Sequence, residues 1–377
     1  MKKIIHLIPT LEGGGAETMI KDYAALTDRN TCEIIVVVWS GKKKSYVENE
    51  ILATKCKVIF LQELRYGEKS NLSILERVYR KIGRYIDFRH IVNSEKPDVI
   101  HMHLRIGIYP IIIPYKKLGI KYFYTVHNVL DRYFTKKIGL NSKYLDYRVA
   151  KYLSGKDRIS FIALHEGLNE EIRSYFNTDA VYTVNNGIRM ERFVPELYNR
   201  NEIRGALGIR PQDYLVGNVG SFSEQKNHGM ILDVFCDVIK RRPDSKLLLV
   251  GRGVERPKIE ARIKKLNIED KVIILENRDD VPALMSAMDV FLFPSKWEGF
   301  GNVLIEAQCM GLRCIISDRV PEAVRLTNLV VVRSLEDSPS EWAETLLDNT
   351  ILGSPIGKLE DYDMRKSVDK LIELYEM

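Results

Sequence analysis

Short apolar runs recur along this chain, and between most of them lie longer stretches whose apolar positions repeat at helical spacing. In the first half the runs at 4–8, 34–38, 58–61, 99–101, 122–126, 159–163 and 181–184 predict strands. The run at 4–8 leads into Gly13-Gly14-Gly15 and a helix from Ala16. In the second half, strands are expected at 214–219, 246–250, 272–275, 290–293, 314–316 and near 329–332. Helices are expected at 228–240, 255–266, 281–287 and 303–310. Strands that are apolar throughout, each followed by a helix, imply parallel sheets covered on both faces.

The rhythm breaks once, at "NNGIRMERFVPELYNRNEIRGALGIRPQD", where Gly and Pro punctuate the pattern. The expected organisation is therefore α/β with two Rossmann-like parallel-sheet domains, residues 1–195 and 196–357, facing across a cleft. Ligands of such sheets sit beyond the carboxyl ends of the strands. A last helix, 358–377, is set apart by "NTILGSPIGK" and is expected to cross back onto the first domain.

With 377 residues the chain suits two domains. No apolar run is long enough to span a bilayer. The opening "MKKIIHLIP" is too short for a signal segment and reads as a first strand. Five scattered cysteines without a C-x-x-C pair suit reduced thiols in a cytoplasmic protein. The net charge of +6 is uneven: residues 1–195 carry +11 and the remainder −5. A basic first half suggests an anionic partner, with a dispersed solvated surface as the competing reading. Nucleic acid is not expected, because no recognisable binding motif accompanies the charge.

The most specific segment is "FLFPSKWEGFGNVLIEAQCM" (291–310), in which Glu298 and Glu306 stand seven residues apart around Gly299-Phe300-Gly301. A strand feeding a glycine turn and then a helix presents free backbone N–H groups to an anion. Two flanking carboxylates can accept from hydroxyls, so the segment describes a nucleotide-sugar site. A solvated loop charge beside an exposed helix face is the alternative. Glu306, however, stands among Val303, Leu304, Ile305, Ala307 and Met310, where a charge calls for a partner.

Lys226, in "NVGSFSEQKNHGMIL", follows the first strand of the second half and opens a helix, a position from which a cation can hold a diphosphate. A surface lysine is the rival reading. Arg252 in "VGRG" and Gly14 and Gly15 in "TLEGGGAE" end further strands; the latter loop lacks G-x-G-x-x-G spacing and is also readable as a plain turn. His101 and His103 form an i, i+2 pair, but no carboxylate or cysteine accompanies them and no metal is expected. His127, just past a strand end, can meet a sugar hydroxyl or serve as a structural histidine. In 72–92, Leu75, Val78, Tyr79, Ile82, Tyr85 and Ile86 recur at helical spacing among arginines. This suits a core-packed surface helix somewhat better than one lying on anionic membrane.

These segments, with "VNNGIRMERF" and "TVHN", resemble the GT-B glycosyltransferases of family 4, and within it the bacterial exopolysaccharide and capsule branch. The resemblance covers nearly the whole chain. It implies that Glu298 binds donor-sugar hydroxyls, that the N–H groups of Gly299, Phe300, Gly301 and Asn302 meet sugar and diphosphate, and that Glu306 binds ribose. It further implies that Lys226 neutralises the diphosphate, that His127 contacts the sugar, that Gly14 and Gly15 approach the phosphate, and that Arg278 borders the base. The donor it implies is a nucleotide sugar, UDP for this branch, with no cofactor or metal. The acceptor is a polyprenyl-diphosphate-linked glycan at the inner membrane face, with the enzyme cytoplasmic and peripheral. Transfer is retaining, the departing phosphate oxygen taking the acceptor's proton.

Two positions depart from the family pattern. Ser221 stands where the family often has Arg, so that either the diphosphate loses a cation or Arg252 substitutes for it, and Arg313 stands where Pro is common. A transferase with a small soluble acceptor, or a catalytically silent sugar-binding subunit, are the alternatives.

Overall fold

The computed structural model describes residues 1–66, 73–107, 110, 119–137, 142–276, 278–348 and 359–377. The "NTILGSPIGK" segment lies outside them, as do the side chains of Leu75, Arg77, Val78 and Lys81. The chain divides into two compact units, Met1–Asn186 with Met364–Met377, and Gly187–Asp363. The Gly/Pro-rich stretch after Asn186 is tied to the second unit: Ile188 N–H donates to Tyr362 O at 2.8 Å, and Arg192 Nη2 donates to Asp279 O at 2.6 Å.

In the first unit seven parallel strands are ordered β3-β2-β1-β4-β5-β6-β7. They are β1 (Lys2–Ile8), β2 (Cys32–Val38), β3 (Lys57–Phe60), β4 (Val99–His103), β5 (Lys121–Thr125), β6 (Ser160–Ala163) and β7 (Val181–Thr183). Period-two alternation divides each strand between the sheet's faces. Ile5 and Leu7 of β1 face a core with Phe88, Val92, Phe161 and Phe176. Ile4 faces the other way, against Met19 and Tyr23 of helix Gly15–Leu26 and against Met364, Val368, Leu371 and Tyr375 of helix Met364–Glu376. The last helix thus covers the sheet that the first strand founds.

The second unit holds six parallel strands ordered β10-β9-β8-β11-β12-β13. They are β8 (Tyr214–Val219), β9 (Ser245–Val250), β10 (Val272–Leu275), β11 (Val290–Phe293), β12 (Arg313–Ser317) and β13 (Val330–Arg333). Val216, Leu247, Leu249, Leu292 and Ile315 pack against Ile231, Leu232 and Phe235 of helix His228–Arg241 and against Trp342. Arg313 is structural: its guanidinium donates to Leu346 O at the end of helix Pro339–Leu347, a carbonyl that Tyr214 Oη also reaches at 2.8 Å.

Helix Ile74–Glu95 buries Phe88 and Val92 but leaves Tyr79, Ile82 and Ile86 exposed. The helix is thus packed on the core along one side, as expected, and carries an apolar strip on the other. The apolar arc is wider than the strip the sheet can cover, so only part of it reaches the core.

Candidate functional site

Both sheets reverse order at their first strand, β1 lying between β2 and β4, and β8 between β9 and β11. At such a switch point the loops leaving neighbouring strands part to opposite faces and open a crevice beyond the carboxyl ends.

In the second unit three loops meet there. The loop after β8 carries Ser221, a 3-10 turn Glu224–Lys226, and Asn227, which caps helix His228–Arg241. The loop after β9 carries Gly251, Arg252 and Gly253. The two lie so close that a Cβ on Gly251 would fall 1.9 Å from Gly220 O, and one on Gly253 would fall 2.3 Å from Phe222 O. Only glycine permits this approach, and it lets Phe222 N–H donate to Arg252 O at 2.8 Å. The third loop, after β11, is joined to the first by Lys296 N–H to Gln225 O at 2.8 Å and by Asn227 Nδ2 to Pro294 O at 3.1 Å. It ends at Gly301, whose φ of +97° starts helix Asn302–Cys309.

Lys226 and Glu298 are the pair this framework brings together. Lys226 Nζ lies 2.7 Å from Glu298 Oε1, and Gln225 Nε2 donates to Glu298 Oε2 at 2.8 Å. The ammonium also sits over the Phe293 ring, 4.5 Å from its centroid. Around the pair, several buried polar atoms have no hydrogen-bond partner among the described residues: Arg252 Nη2, both ring nitrogens of His228, Ser295 Oγ and Asn302 Oδ1. Each such orphan costs about 1–3 kcal/mol, so their concentration on one set of loops points to a polar ligand. The His228 ring stands edge-on to Phe222 at 4.8 Å. Burial pushes it down to about 4, with Lys226 acting in the same direction, so it is neutral at neutral pH.

Phe300 is buried and stacks on Tyr362 at 5.5 Å; Gly299 is buried and Asn302 half-buried. Glu306 is half-buried one turn along the helix. Ser221 is exposed and shares a 3.1 Å hydrogen bond with Ser223 Oγ. Arg278 is paired with Asp280 on an exposed turn.

In the first unit Gly14 caps helix Gly15–Leu26, where a Cβ would fall 2.6 Å from Glu17 Oε2. Thr10 Oγ1 donates to Glu17 Oε1 at 3.2 Å, and burial raises the Glu17 carboxyl. Across the same strand ends runs a set of histidines. His6 Nδ1 lies 3.0 Å from His103 Nε2, and His103 Nδ1 lies 3.0 Å from His127 Nε2. His101 is bonded to Tyr375 Oη at 2.5 Å and to Thr125 Oγ1 at 2.7 Å. Ring nitrogens of His6, His101 and His103 lie within 4.8 Å of one another, so the sequence pair has a third member. Reasoning from sequence missed His6, Gln225, His228 and Ser295. For His6 the available signal is a lone polar residue inside the run Ile4-Ile5-His6-Leu7-Ile8.

The comparisons agree with this architecture. The model for Glycosyltransferase Family 4 matches residues 13–192, and that for Glycosyl transferases group 1 matches residues 199–344. The chain is a family 4 glycosyltransferase. Over 390 residues this glycosyltransferase is 27% identical to EpsF of Bacillus subtilis, covering 100% of the chain and 97% of EpsF. It is 25% identical to the UDP-Gal:alpha-D-GlcNAc-diphosphoundecaprenol alpha-1,3-galactosyltransferase of Escherichia coli, covering 84% and 79% of the two chains. Among solved structures, Anabaena HepE in complex with UDP and glucose superposes with a TM-score of 0.76 at 17% identity, over 100% of both chains. WaaG, a glycosyltransferase involved in lipopolysaccharide biosynthesis, gives 0.74 at 19% identity, over 99% of each chain. These likenesses establish the GT-B fold for the glycosyltransferase.

Proposed function

We propose that this enzyme moves a sugar from a nucleoside diphosphate, with uridine as the base, to a polyprenyl-diphosphate-linked glycan in surface polysaccharide assembly, retaining the anomeric configuration. The observation that carries the reading is the Lys226–Glu298 pair ringed by orphaned polar atoms at the β8/β11 switch point. The donor diphosphate meets Lys226, Arg252 and the N–H groups of Gly299 to Asn302. Glu298 accepts from sugar hydroxyls, Glu306 from ribose, and His127 of the first unit contacts the sugar. No metal is required, because a lysine, an arginine and a helix N-terminus offset the charge released as the glycosidic bond breaks. The proton of the attacking hydroxyl passes to the departing phosphate oxygen, so neither glutamate acts as a general base.

The lipid-linked acceptor is supported by the Escherichia coli relative. It is supported also by a Campylobacter jejuni relative, 30% identical over 146 residues, whose name carries a diphospho-undecaprenol acceptor. No helix among the described residues is long and apolar enough to cross a membrane. The exposed Tyr79, Ile82 and Ile86 favour peripheral attachment to the inner membrane face from the cytoplasmic side. A thermal-shift panel of nucleotide sugars tests the donor. A ligand held at a hundred times its Kd adds about 2.7 kcal/mol to the folded state. UDP-sugars are expected to raise Tm most, and a panel in which none does so refutes the reading.

A further inference from the structure

Three histidines of the first unit, His6, His103 and His127, form a hydrogen-bonded chain, with His101 packed beside it. His6 and His101 are register partners on β1 and β4, and His103 partners Thr125 on β5. By strand alternation His6 shares a face with Ile4, and His101 and His103 share it with Val99; His6 stands against Tyr23 and Tyr375, and His101 against Tyr375, of the covering helices Gly15–Leu26 and Met364–Glu376. Of the two hydrogen bonds in the chain, one joins His6 Nδ1 to His103 Nε2 and the other joins His103 Nδ1 to His127 Nε2. His103 therefore uses both ring nitrogens.

A neutral imidazole carries one N–H, so His103 must donate at one end and accept at the other. Two directions are open. Running outward, His6 Nδ1–H donates to His103 Nε2, and His103 Nδ1–H donates to His127 Nε2. The His127 proton then sits on Nδ1, and His6 Nε2 is a bare lone pair. Running inward, His127 donates from Nε2, and the His6 proton sits on Nε2. His6 Nε2 is buried with no hydrogen-bond partner among the described residues. The inward direction would strand an N–H donor there, and orphaned buried N–H groups are rarer than under-used acceptors. The outward direction avoids it.

We propose that His6 and His103 are positioning residues whose one-way hydrogen-bond chain fixes the proton of His127 on Nδ1, so that His127 offers the sugar a donor and not an acceptor. This rests on the reading of His127 as a sugar contact. Burial keeps the rings neutral, as the chain needs: it pushes His6 and His127 down to about 3, and His103 is also held well below its ordinary value. Metal ligation fits these rings less well. Both nitrogens of His101 and of His103 are already hydrogen-bonded, and the charges acting on those two rings among the described residues come from other imidazoles, which would not offset a buried dication.

The test is long-range 15N–1H correlation on the full chain labelled at histidine, with His127 assigned by the signal lost in His127→Gln. The proton is expected on Nδ1 of His127 in the wild type. In His6→Phe, where His103 is released from its donor, His127 should become a mixture of tautomers, and the donor KM should rise by the inverse of the fraction that keeps its proton on Nδ1, about twofold for an even mixture. A wild-type His127 with its proton on Nε2 overturns the chain, whether or not any variant folds. So does a His127 signal unmoved in folded His6→Phe. An outward chain combined with normal donor KM and turnover in His127→Gln overturns the role toward the sugar, while the spectra stand by themselves. Failure of the transfer reaction itself would show instead as absent sugar-nucleotide binding by the wild type.

Discussion

Lys226 and Glu298 form a 2.7 Å ion pair with both side chains nearly buried, 11% and 5% exposed. Breaking such a pair leaves a buried charge without a partner, at a cost of about 3–5 kcal/mol. Lys226→Ala should therefore lower both Tm and turnover, the latter by about a hundredfold or more if the ammonium stabilises the leaving diphosphate. The double variant Lys226→Met with Glu298→Leu separates the two effects. Its melting temperature should exceed that of either single variant, while turnover stays at or below the level of Lys226→Ala, because Glu298 is lost to the sugar as well. Recovery of turnover together with stability would show that the pair serves the fold alone.

Arg252 is expected to supply the cation that Ser221 lacks. The Arg252 carbonyl accepts from the N–H of Phe222, the residue after Ser221, while its guanidinium Nη2 is buried without a partner among the described residues. Arg252→Ala should raise the donor KM about tenfold or more, since a charge-assisted hydrogen bond is worth about 1.5–3 kcal/mol, and it should leave Tm nearly unchanged. Adding Ser221→Arg to that variant should recover much of the lost affinity. Titration calorimetry with UDP reads both effects, and an unaltered Kd in Arg252→Ala removes Arg252 from the site.

How much of this was legible in the sequence depends on the range of the interaction. The strands could be read because runs such as Leu247-Leu248-Leu249-Val250 must be apolar on both faces of a parallel sheet. The Glu298 loop could be read because strand, glycine turn and helix follow one another directly. What escaped depends on register and side-chain direction. The His6–His103 bond runs diagonally between strands and spans 97 residues of sequence. The unpartnered nitrogens of His228 become visible only once the fold sets Phe222 edge-on to the ring and buries it. The exposed side of helix Ile74–Glu95 eluded periodicity because spacing finds an apolar arc without saying how much of it the sheet covers.

Acid should destabilise the first unit before the second. In the folded chain His6 and His127 are pushed down to about 3 and His101 and His103 well below 6.5, whereas the second unit contributes His228 at about 4. These folded values are depressed, so the unfolded chain binds protons first as pH falls through about 6.5. The stability these groups contribute is intact above that pH. Below it, each costs about 1.4 kcal/mol per pH unit until its folded value is reached. Hydrogen exchange between pH 7.5 and 5.5 should show protection lost in β1, β4 and β5 ahead of β8, β9 and β11. Equal loss in both sheets, or none, would contradict this.

Attachment to a membrane should run through helix Ile74–Glu95. Tyr79, Ile82 and Ile86 are 62%, 54% and 45% exposed, and their i, i+3, i+7 spacing puts them on one face. Arg89 is exposed on the same helix, and the first 195 residues carry a net charge of +11. Apolar anchors together with basic charge should bind anionic bilayers in two additive parts, only one of which salt screens. Burying one isoleucine side chain is worth about 1.5–3 kcal/mol. Ile82→Glu should thus weaken flotation with phosphatidylglycerol vesicles about tenfold or more, even at high salt. The same variant should turn over a detergent-soluble acceptor analogue normally and a vesicle-embedded acceptor poorly. If the wild type fails to float at low salt, or Ile82→Glu floats equally well, the helix is not the attachment face.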